Sequence, residues 1–560
     1  MSQAFNFTDY NLLIERIAQL EYLIQLHENG ILENKNGVDT AWVANCTYLV
    51  FLMQCGFSLL EAGTARYKNY VSALIKNCLD ITISTIFWWL WGYAFAFGES
   101  KGEFIGTTFF AGDEINTFEE YNAWLFQWAF AGTAATIVSG CILERAKVFG
   151  YCIFSAFMTS WIYPLIVHWC WNDKGWLKDM GYIDFAGSGV VHMVGGTAGL
   201  FAAIMVGSRR GRFTDDNKDD ENGTKNKVES LAEYSSKEFK HTYMPFVVLG
   251  TLMLWYSWYG FNCGSTVTIS GDNTNLIGKI GMNTSISAAA GGFTCFMFNY
   301  FYVSSTKKVG DQDYEIYSMT SLCNGILAGL VGITAGCDAV ASWAAFVIGI
   351  IAAFIYIGYN KLISWLKIDD PLDACPIHMG AGSWGVVAVG WFHTEKGILY
   401  GESAKLFGVN LLGVVVIFAW TGFWTIACFY VLKCFDLHRL SEKDEETGID
   451  TKYCGGYAIH YDKVSRRHYS FIFAPENRKK SIVQINEEYN KDVEDEIVKE
   501  KNSFAKEMQE KNNNSIHHEV DIVDTNSQIN KKENQNNQKI PETEINAENN
   551  IHAENDLIAN

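Results

Sequence analysis

Long apolar segments dominate the sequence between Trp42 and Phe435 and limit the folds open to it. A helix needs about 20 residues to cross roughly 30 Å of hydrocarbon. Eleven segments reach or approach that length, near residues 41–62, 72–97, 122–143, 149–171, 187–207, 243–264, 281–304, 318–337, 340–366, 378–393 and 403–435. The pattern predicts an all-α integral membrane protein with eleven transmembrane helices. The tenth segment is short and rich in glycine, which is typical of an interrupted or protein-buried helix.

Basic residues in the short loops predict the orientation, because Lys and Arg are retained on the cytoplasmic side. They occur in every second loop, whereas the opposite loops are acidic or nearly neutral. The basic positions are Arg66, Lys68, Arg145, Lys147, Arg209, Arg210, Arg212, Lys307, Lys308, Lys361, Lys367, Lys433 and Arg439. With eleven crossings, the N-terminus lies outside the cell and the C-terminus in the cytoplasm.

Residues 1–40 are predicted to form an extracellular N-terminal segment. Charged residues such as Glu15 and Arg16 lie among its apolar positions, so no cleavable signal is evident. Leu13, Ile17 and Ile24, among others, suit an amphipathic helix. The sequence leaves open whether this helix pairs with a neighbouring copy.

Two histidines lie inside apolar, glycine-rich stretches, where a charged group is costly. Each follows an aspartate by a few residues, Asp184 before His192 and Asp373 before His378. A single such histidine is also compatible with a packing role. Two in similar contexts, about half the membrane region apart, indicate a site built from two related halves.

Faint internal similarity also indicates two halves. The Gly-Phe pair at Gly56 is matched by one at Gly260, and Gly63 is matched by Gly264. The pattern predicts a 5+5 inverted repeat followed by a final helix. Because five is an odd number, the halves run in opposite directions through the bilayer, and the two histidines meet near its middle.

The fourteen cysteines do not indicate a disulfide framework or a metal site. Most lie in or at the ends of apolar segments, where a free cysteine behaves as a small hydrophobic residue. The sequence has no CxxC pair, HExxH motif or nucleophile motif near the histidines. We therefore expect neither a metal nor a cofactor. An intramembrane enzyme or metal carrier that uses two His and two Asp is the weaker alternative.

Four sequence strings closely resemble ammonium transporters of the Amt/MEP/Rh superfamily, in particular its plant-type ammonium transporter 1 branch. They are GYAFAFG at 92–98, DFAGSGVVHM at 184–193, WYSWYGFN at 255–262 and DDPLD at 369–373. The resemblance runs from about residue 39 to residue 461. It implies a plasma-membrane ammonium transporter, not an enzyme, that forms a homotrimer with one pore per subunit. The implied partners are ammonium or ammonia and the lipid bilayer, with no nucleic acid.

The resemblance also implies roles for aromatic residues. Phe130 and Phe261 match stacked rings that gate the pore, and Phe126, Trp171 and Ser265 would bind ammonium in an outer vestibule above them. Ring faces attract a cation with about 0.5–2 kcal/mol, and a hydroxyl oxygen accepts a hydrogen bond from an N–H donor. Without the resemblance, lipid or core packing is the better explanation for each single Phe, and Trp171 is equally compatible with an interfacial anchor.

By the same resemblance, His192 and His378 are twin histidines that line the pore centre. Asp184 would stabilise the cation path without touching the cation, and its plain alternative is a helix N-cap. Asp373 would occupy the corresponding position in the second half, and Trp258 is a further supporting residue.

The implied mechanism is capture of ammonium in the vestibule, deprotonation at the gate and passage of neutral ammonia past the histidines. A cation at mid-bilayer costs at least about 2.5–3.5 kcal/mol, and loss of the proton removes most of that cost. Neutral imidazole has one donor and one acceptor nitrogen, so it can hydrogen-bond ammonia or relay a proton. Sodium and potassium have no proton to lose. The sequence leaves open whether the proton follows by its own route.

The membrane domain is predicted at 41–435, followed by a cytoplasmic regulatory segment at 436–476. Residues 448–456 resemble a family segment that docks on a neighbouring subunit, but Lys452 stands where a regulatory threonine is common and Cys454 replaces a usual histidine. Phosphorylation therefore cannot occur at position 452, although Thr451 is adjacent. Residues 477–560 are polar and predicted to be disordered, as is the loop 208–242. An ammonium sensor that signals through this tail is the alternative function.

Overall fold

The computed structural model describes residues 7–213, 239, 243–306 and 316–455, and long helices in this part cover every apolar segment. In the first half, α1 is Phe7–Thr64 and α3 is Phe118–Cys141. Two helices are interrupted by a π-helical turn: α2 runs through Tyr70–Phe87, the turn Trp88–Gly92 and Tyr93–Phe97, and α4 runs through Val148–Phe157, the turn Met158–Ile162 and Tyr163–Trp171. α5 begins with the π-helical turn Ser188–Met193 and continues as Val194–Val206. In the second half, α6 is Met244–Gly264, α7 is Asn273–Thr306, α8 is Met319–Ile333, α9 is Ser342–Trp365, α10 is a π-helical turn at Cys375–Gly380 followed by Ala381–Phe392, and α11 is Lys405–Cys434.

Six helical stretches among the described residues are long and apolar enough to cross a membrane by length and hydropathy. They are Leu12–Thr64, Tyr67–Phe97, Val148–Met180, Ser188–Val206, Ser342–Trp365 and Lys405–Cys434. The other long helices are shorter or carry polar residues on buried faces, such as Asn262 in α6 and Asn283 in α7. The protein is thus a helical membrane protein, and the predicted count of eleven crossings stays a prediction.

The loops that follow α1, α3, α5, α9 and α11 meet at one end of the bundle. Arg66 and Arg209 both pair with Glu144, at 2.5 and 3.2 Å. Arg209 also pairs with Asp369 at 2.8 Å, and Arg439 donates to the last carbonyl of α5. Of the loops that the sequence assigns to one membrane side by their basic residues, these five therefore lie together.

The opposite end is marked by a second set of loop contacts. The Asp39 carboxylate of α1 accepts hydrogen bonds from the backbone N–H groups of Ile269 and Ser270, after α6, at 2.9 Å each. Asn122, near the start of α3, donates to Thr40 at 3.1 Å. Position 39 of α1 is therefore level with the rim of this end.

α1 continues past that rim without a break. It is one helix of 58 residues, so position 40, where the sequence analysis ends the N-terminal segment, lies inside it. Side chains from Leu12 to Val38 are mostly exposed, including large apolar ones.

Short elements connect the helices at the Asp39 end. β1 (Ser100–Lys101) pairs with β2 (Ile105–Gly106) in an antiparallel hairpin. α3 then begins with a capping box, in which the Thr117 hydroxyl accepts from the Glu120 backbone N–H and the Glu120 carboxylate accepts from that of Thr117. Each bond satisfies a backbone N–H group that the helix itself leaves free.

The C-terminal segment contacts its own chain at the Arg209 end. Two short helices, Glu442–Thr447 and Ile449–Tyr453, follow α11. The Asp450 carboxylate accepts from the backbone N–H groups of Val71 and Ser72 at 2.6 and 2.8 Å, which caps the start of α2. Lys452, at the position of the usual threonine, forms an ion pair with Asp444.

Several sequence predictions lie wholly or partly outside the described residues. These are the tail 477–560, which is predicted to be disordered, residues 456–476 of the predicted regulatory segment 436–476, most of the loop 208–242, and the basic positions Lys307 and Lys308.

Glycines set the distance between the helices, as the sequence predicts. A Cβ added at Gly250 of α6 would lie 2.7 Å from the carbonyl oxygen of Gly56 in α1 and 2.8 Å from the backbone nitrogen of Leu60. A Cβ at Gly325 of α8 would lie 2.6 Å from the carbonyl oxygen of Gly291 in α7. Real Cβ atoms do not approach backbone atoms so closely, and small residues are how membrane helices reach this contact.

Gly250→Ala should destabilise the protein by about 1–3 kcal/mol, because the methyl group would force α1 and α6 apart. Gly358→Ala is the matched control, since a Cβ at Gly358 of α9 meets nothing within 4 Å. Thermal unfolding of the purified protein in detergent measures both effects. A Gly250→Ala protein as stable as the Gly358→Ala protein would contradict this account of the α1–α6 contact.

Candidate functional site

Two helices, α5 and α10, begin inside the bundle rather than at its surface. Both begin with a six-residue π-helical turn in which every residue is buried. His192 lies in the first turn and His378 in the second. The two histidines of the sequence analysis thus occupy equivalent positions in two equivalent elements.

The carboxylate of Asp184 accepts hydrogen bonds from the backbone N–H groups at the start of α5, which have no acceptor within the helix. Its Oδ1 accepts from the backbone N–H groups of Gly187 and Ser188, both at 2.9 Å, and its Oδ2 from those of Gly189 and Val190, at 2.8 and 2.9 Å. A helix start leaves four N–H groups without intrahelical acceptors. The capping role that the sequence analysis gives as the plain alternative for Asp184 is therefore present.

Asp370 caps the start of α10, which corrects the prediction that Asp373 occupies the position corresponding to Asp184. The Asp370 carboxylate accepts from the Cys375 backbone N–H at 2.7 Å. Asp370 precedes its histidine by eight residues, the same offset as Asp184.

Asp373 instead joins α10 to two neighbouring helices. Its carboxylate accepts from the Tyr356 hydroxyl of α9 at 2.9 Å and from the Asn324 amide of α8 at 3.0 Å. The prediction that Asp373 corresponds to Asp184 was based on its proximity to His378 in the sequence. It was wrong because the Asp370 carboxylate, and not that of Asp373, accepts from a free backbone N–H group at the start of α10.

The two histidine side chains are in direct contact. Their Nδ1 atoms lie 3.3 Å apart, and their ring centroids 5.3 Å apart with an interplanar angle of 23°. A hydrogen bond between two Nδ1 atoms needs one donor and one acceptor, so in neutral rings the two Nε2 atoms have opposite roles, one acceptor and one donor. Nε2 of His192 is buried and has no hydrogen-bond partner among the described residues.

Two phenylalanine rings lie directly against the histidine pair. The rings of Phe130 (α3) and Phe261 (α6) stack at 4.0 Å with an interplanar angle of 19°, and both are buried. Phe261 in turn lies 5.2 Å from the ring of His192. Phe126, one helical turn before Phe130, contacts it at 4.7 Å. The predicted gate and vestibule phenylalanines therefore form one cluster.

Trp171 and Ser265 lie on the far side of the phenylalanines from the histidines, and both are partly exposed. The Trp171 ring lies 6.1 Å from that of Phe130, and its indole N–H donates to the Asp184 carbonyl at 2.8 Å. The Ser265 hydroxyl donates to the Phe261 carbonyl at 2.8 Å, which leaves its oxygen lone pairs able to accept.

Trp258 holds the His192 ring from one side. The two rings stack at 4.8 Å with an interplanar angle of 18°, and the Trp258 indole N–H donates to the Thr334 hydroxyl at 2.9 Å. Every predicted site residue except Asp373 thus belongs to one connected set.

Two further features of this region have no clear signal in the sequence. Phe57 of α1 lies 6.3 Å from the His378 ring on the side away from the gate. A narrow cavity beside His378 is lined by Phe57 and apolar residues, but also by the carboxylic acid Glu61.

Glu61 belongs to a buried polar cluster in the first half of the bundle. It accepts from the Ser139 hydroxyl at 2.9 Å. The Lys76 Nζ lies 5.8 Å from the centroid of the Tyr151 ring, and the Tyr151 hydroxyl donates to Asp80. The side chains of Glu61, Lys76 and Asp80 are fully or almost fully buried. Sequence analysis missed the cluster because its members lie on four helices and form no motif.

The loop carboxylate Asp369 is held ionised by arginines. Burial alone would raise the pKa of Asp369, but Arg209 binds both its oxygens, at 2.8 and 3.0 Å, and holds the pKa well below 3.8. Arg145 also donates to the Asp369 carbonyl. The described residues contain no group of three or more His, Cys, Asp or Glu side chains that could hold a metal ion.

Half-helices that begin inside an apolar bundle and meet at polar side chains define a membrane transporter. A family model described as the Ammonium Transporter Family matches residues 41–458. Ammonium transporter 1 member 1 of Arabidopsis thaliana is 37% identical, over 73% of this chain and 83% of its own length. Ammonium transporter 3 of Dictyostelium discoideum is 33% identical, over 76% and 95%.

Solved structures share the fold. A protein titled Sensor Amt Protein has a TM-score of 0.66 and 32% identity, covering 75% of this chain and 99% of its own. Candida albicans Mep2 has a TM-score of 0.63 and 26% identity, covering 73% and 87%. The chain therefore belongs to the Ammonium Transporter Family, whose members are transporters and not enzymes.

Asp369→Asn should destabilise the protein by about 3–5 kcal/mol, because it leaves the buried Arg209 without its bidentate partner. In the parent, the Asp369 carboxylate contributes its full share of the free energy of unfolding when the pH is above its usual pKa of 3.8. This contribution is lost as the pH falls through the lowered pKa of the folded state. Thermal unfolding in detergent, repeated from neutral pH to below that value, should show this acid loss in the parent and not in the variant.

The control for this experiment is Asp436→Asn, which removes an exposed ion pair with Lys147. Exposed pairs contribute little, so its unfolding temperature should match the parent's. An Asp369→Asn protein as stable as this control would show that the Arg209 contact does not stabilise the fold.

Proposed function

We propose that this protein transports ammonium across a membrane and that the connected aromatic and imidazole set is the path. The observation that carries the proposal is an unbroken series of ring contacts from Trp171 through Phe130 and Phe261 to His192 and His378. Successive centroids lie 6.1, 4.0, 5.2 and 5.3 Å apart. The chain's relatives are named as ammonium transporters.

Ammonium binds first in the outer vestibule formed by Phe126, Trp171 and Ser265. The ring faces attract the cation, and the Ser265 oxygen, whose proton is committed to the Phe261 carbonyl, accepts one of its N–H bonds. The Trp171 indole N–H donates to the backbone carbonyl of Asp184, and the carboxylate of Asp184 adds a negative potential without contact with the cation.

The Phe130–Phe261 stack then separates the vestibule from the histidines, and ammonium transfers its proton to water in the partly exposed vestibule before ammonia passes the stack. The buried rings offer no oxygen to a cation, so a charged species pays the full desolvation cost at this point. Neutral ammonia does not. Sodium and potassium cannot reduce their charge in this way, and the gate therefore selects against them.

Ammonia next meets the histidine pair, whose opposite Nε2 roles offer it both an acceptor and a donor. Trp258 fixes the His192 ring by stacking, and the Nδ1–Nδ1 contact fixes the two rings to each other. The same contact would let the pair pass a proton from one ring to the other. Polar groups at this one depth reduce the barrier for a small polar molecule while the rest of the bore stays apolar.

We further propose the finer architecture and setting that the family resemblance implies. The chain crosses the plasma membrane eleven times as a 5+5 inverted repeat plus a final helix, with the N-terminus outside and the C-terminus in the cytoplasm. It assembles as a homotrimer. The meeting of the basic loops at one end of the bundle and the equivalent starts of α5 and α10 support this arrangement.

His192→Ala and His378→Ala should each lower ammonium uptake about 5- to 150-fold. Each removes a buried hydrogen-bonding group, which contributes about 1–3 kcal/mol. The variants and the parent are expressed in cells that lack ammonium uptake, and growth on low ammonium, isotope uptake and membrane current are recorded.

The matched control is His393→Asn, which keeps an acceptor for the backbone N–H groups of Glu395 and Lys396 outside the pore. It should transport at the parent's rate when membrane abundance is equal. A parent that fails to restore growth overturns the transport function. A parent that restores growth without current identifies ammonia as the net species.

The second candidate function is an ammonium sensor that signals through the polar tail. The solved structure titled Sensor Amt Protein, which has 32% identity, favours keeping it. Deletion of residues 477–560 should leave uptake at the parent's level, because the pore residues all lie before position 380. Unchanged uptake with loss of an ammonium-dependent cellular response would assign the tail a signalling role, whereas loss of both would place the tail in transport itself.

A further inference from the structure

The part of α1 beyond the bundle exposes a regular apolar stripe. Asp39 contacts the loop after α6, so the helix leaves the rim at this level. The 27 residues from Leu12 to Val38 extend about 40 Å further at 1.5 Å per residue. Leu20 and Ile24 there are 59% and 56% exposed. A single helix in water cannot bury these apolar side chains, so an exposed apolar stripe of this length indicates a surface that binds a partner.

The stripe follows a heptad repeat. Its members are separated alternately by four and three residues, which is the spacing of a coiled-coil seam. The a positions are Ile17, Ile24, Ile31 and Val38, and the d positions are Leu13, Leu20, His27 and Asn34. The f positions on the opposite face are Glu15, Tyr22, Asn29 and Asn36. Exposed apolar side chains also occur beside the seam, at the e and g positions Ile14 and Leu23, and at the b and c positions Leu12, Leu26 and Leu32, whereas the f positions carry no aliphatic side chain.

The charges beside the seam favour a parallel arrangement. Arg16 occupies a g position and Glu21 the following e position. In parallel coiled coils these two positions face each other across neighbouring helices, where they form an ion pair. Both side chains are exposed in the single chain. Polar His27 and Asn34 in the seam add register, because each is best satisfied beside the same residue of an identical helix.

We propose that residues 13–38 form a parallel coiled coil with the same segment of a second copy of this chain. A partner must carry the same repeat, the same polar layers and the Arg16–Glu21 complement, and an identical chain meets all three conditions. Copies in one membrane assembly share an orientation, so their α1 helices leave the rim in parallel and in register. The inference rests on the proposed homotrimer, which brings the α1 helices of several copies together in one orientation. The number of strands follows from the copy number of the membrane domain.

Single cysteines introduced into the full-length protein in its membrane test the proposal. Leu20→Cys lies in the seam and Asn29→Cys on the opposite face, and the parent has no cysteine in residues 1–40. After mild oxidation, denaturing electrophoresis without reductant should show several-fold more linked chains for Leu20→Cys than for the parent, while Asn29→Cys stays at the parent's level. Ile24→Asp added to Leu20→Cys should remove the link, because it places a charge in the seam.

Equal linking of the two cysteine variants, or no linking of either, overturns the coiled coil. Linking of Leu20→Cys that survives Ile24→Asp also overturns it. Uptake and native mass of the parent are measured in the same preparation. A chain that transports as a monomer overturns the coiled coil and the homotrimer but not transport, whereas an oligomer that links at Leu20→Cys but takes up no ammonium leaves the coiled coil standing and overturns the transport function.

Discussion

A helix that begins inside an apolar bundle leaves backbone N–H groups without acceptors, and the histidine pair depends on how this chain satisfies them. Each unsatisfied buried group costs about 1–3 kcal/mol. Asp184 accepts from four such groups at the start of α5, and Asp370 accepts from the Cys375 backbone N–H at the start of α10. The positive end of each helix also stabilises the buried carboxylate. Both histidines lie in the turns that these aspartates hold.

The second requirement is that the two half-helices come close enough for their imidazoles to touch. Gly196 of α5 packs against the backbone of α10, where a Cβ would overlap the Met379 nitrogen. Any larger residue at position 196 would separate the helices and the Nδ1 atoms of His192 and His378. The glycines between α1 and α6 act in the same way and hold Phe261, on α6, against Phe130 and His192. Close packing of small residues thus positions the polar and aromatic side chains.

The site shows where sequence reasoning holds and where it stops. His192 and Phe261 lie in two of the strings that resemble the family, so the sequence points to these positions directly. The role of Asp370 was not predictable, because two aspartates precede His378 and only the turn geometry decides which carboxylate meets the amides. The cluster of Glu61, Lys76 and Asp80 gave no signal either. Lys76 and Asp80 lie four residues apart on α2, but Glu61 lies on α1, and no local pattern in the sequence shows that these two helices bring the three side chains together.

The sequence by itself determined the helical membrane class, the approximate extent of most helices, the resemblance to the family and the set of basic loops expected on one membrane side. These follow from local quantities, namely apolar length, glycine content, loop charge and motif order. Only the tertiary structure decided which aspartate caps α10, which rings stack into a continuous series, and that α1 runs unbroken through its predicted boundary to expose a heptad seam. Those outcomes depend on distances between residues far apart in the chain, and such distances are set by packing, not by local composition.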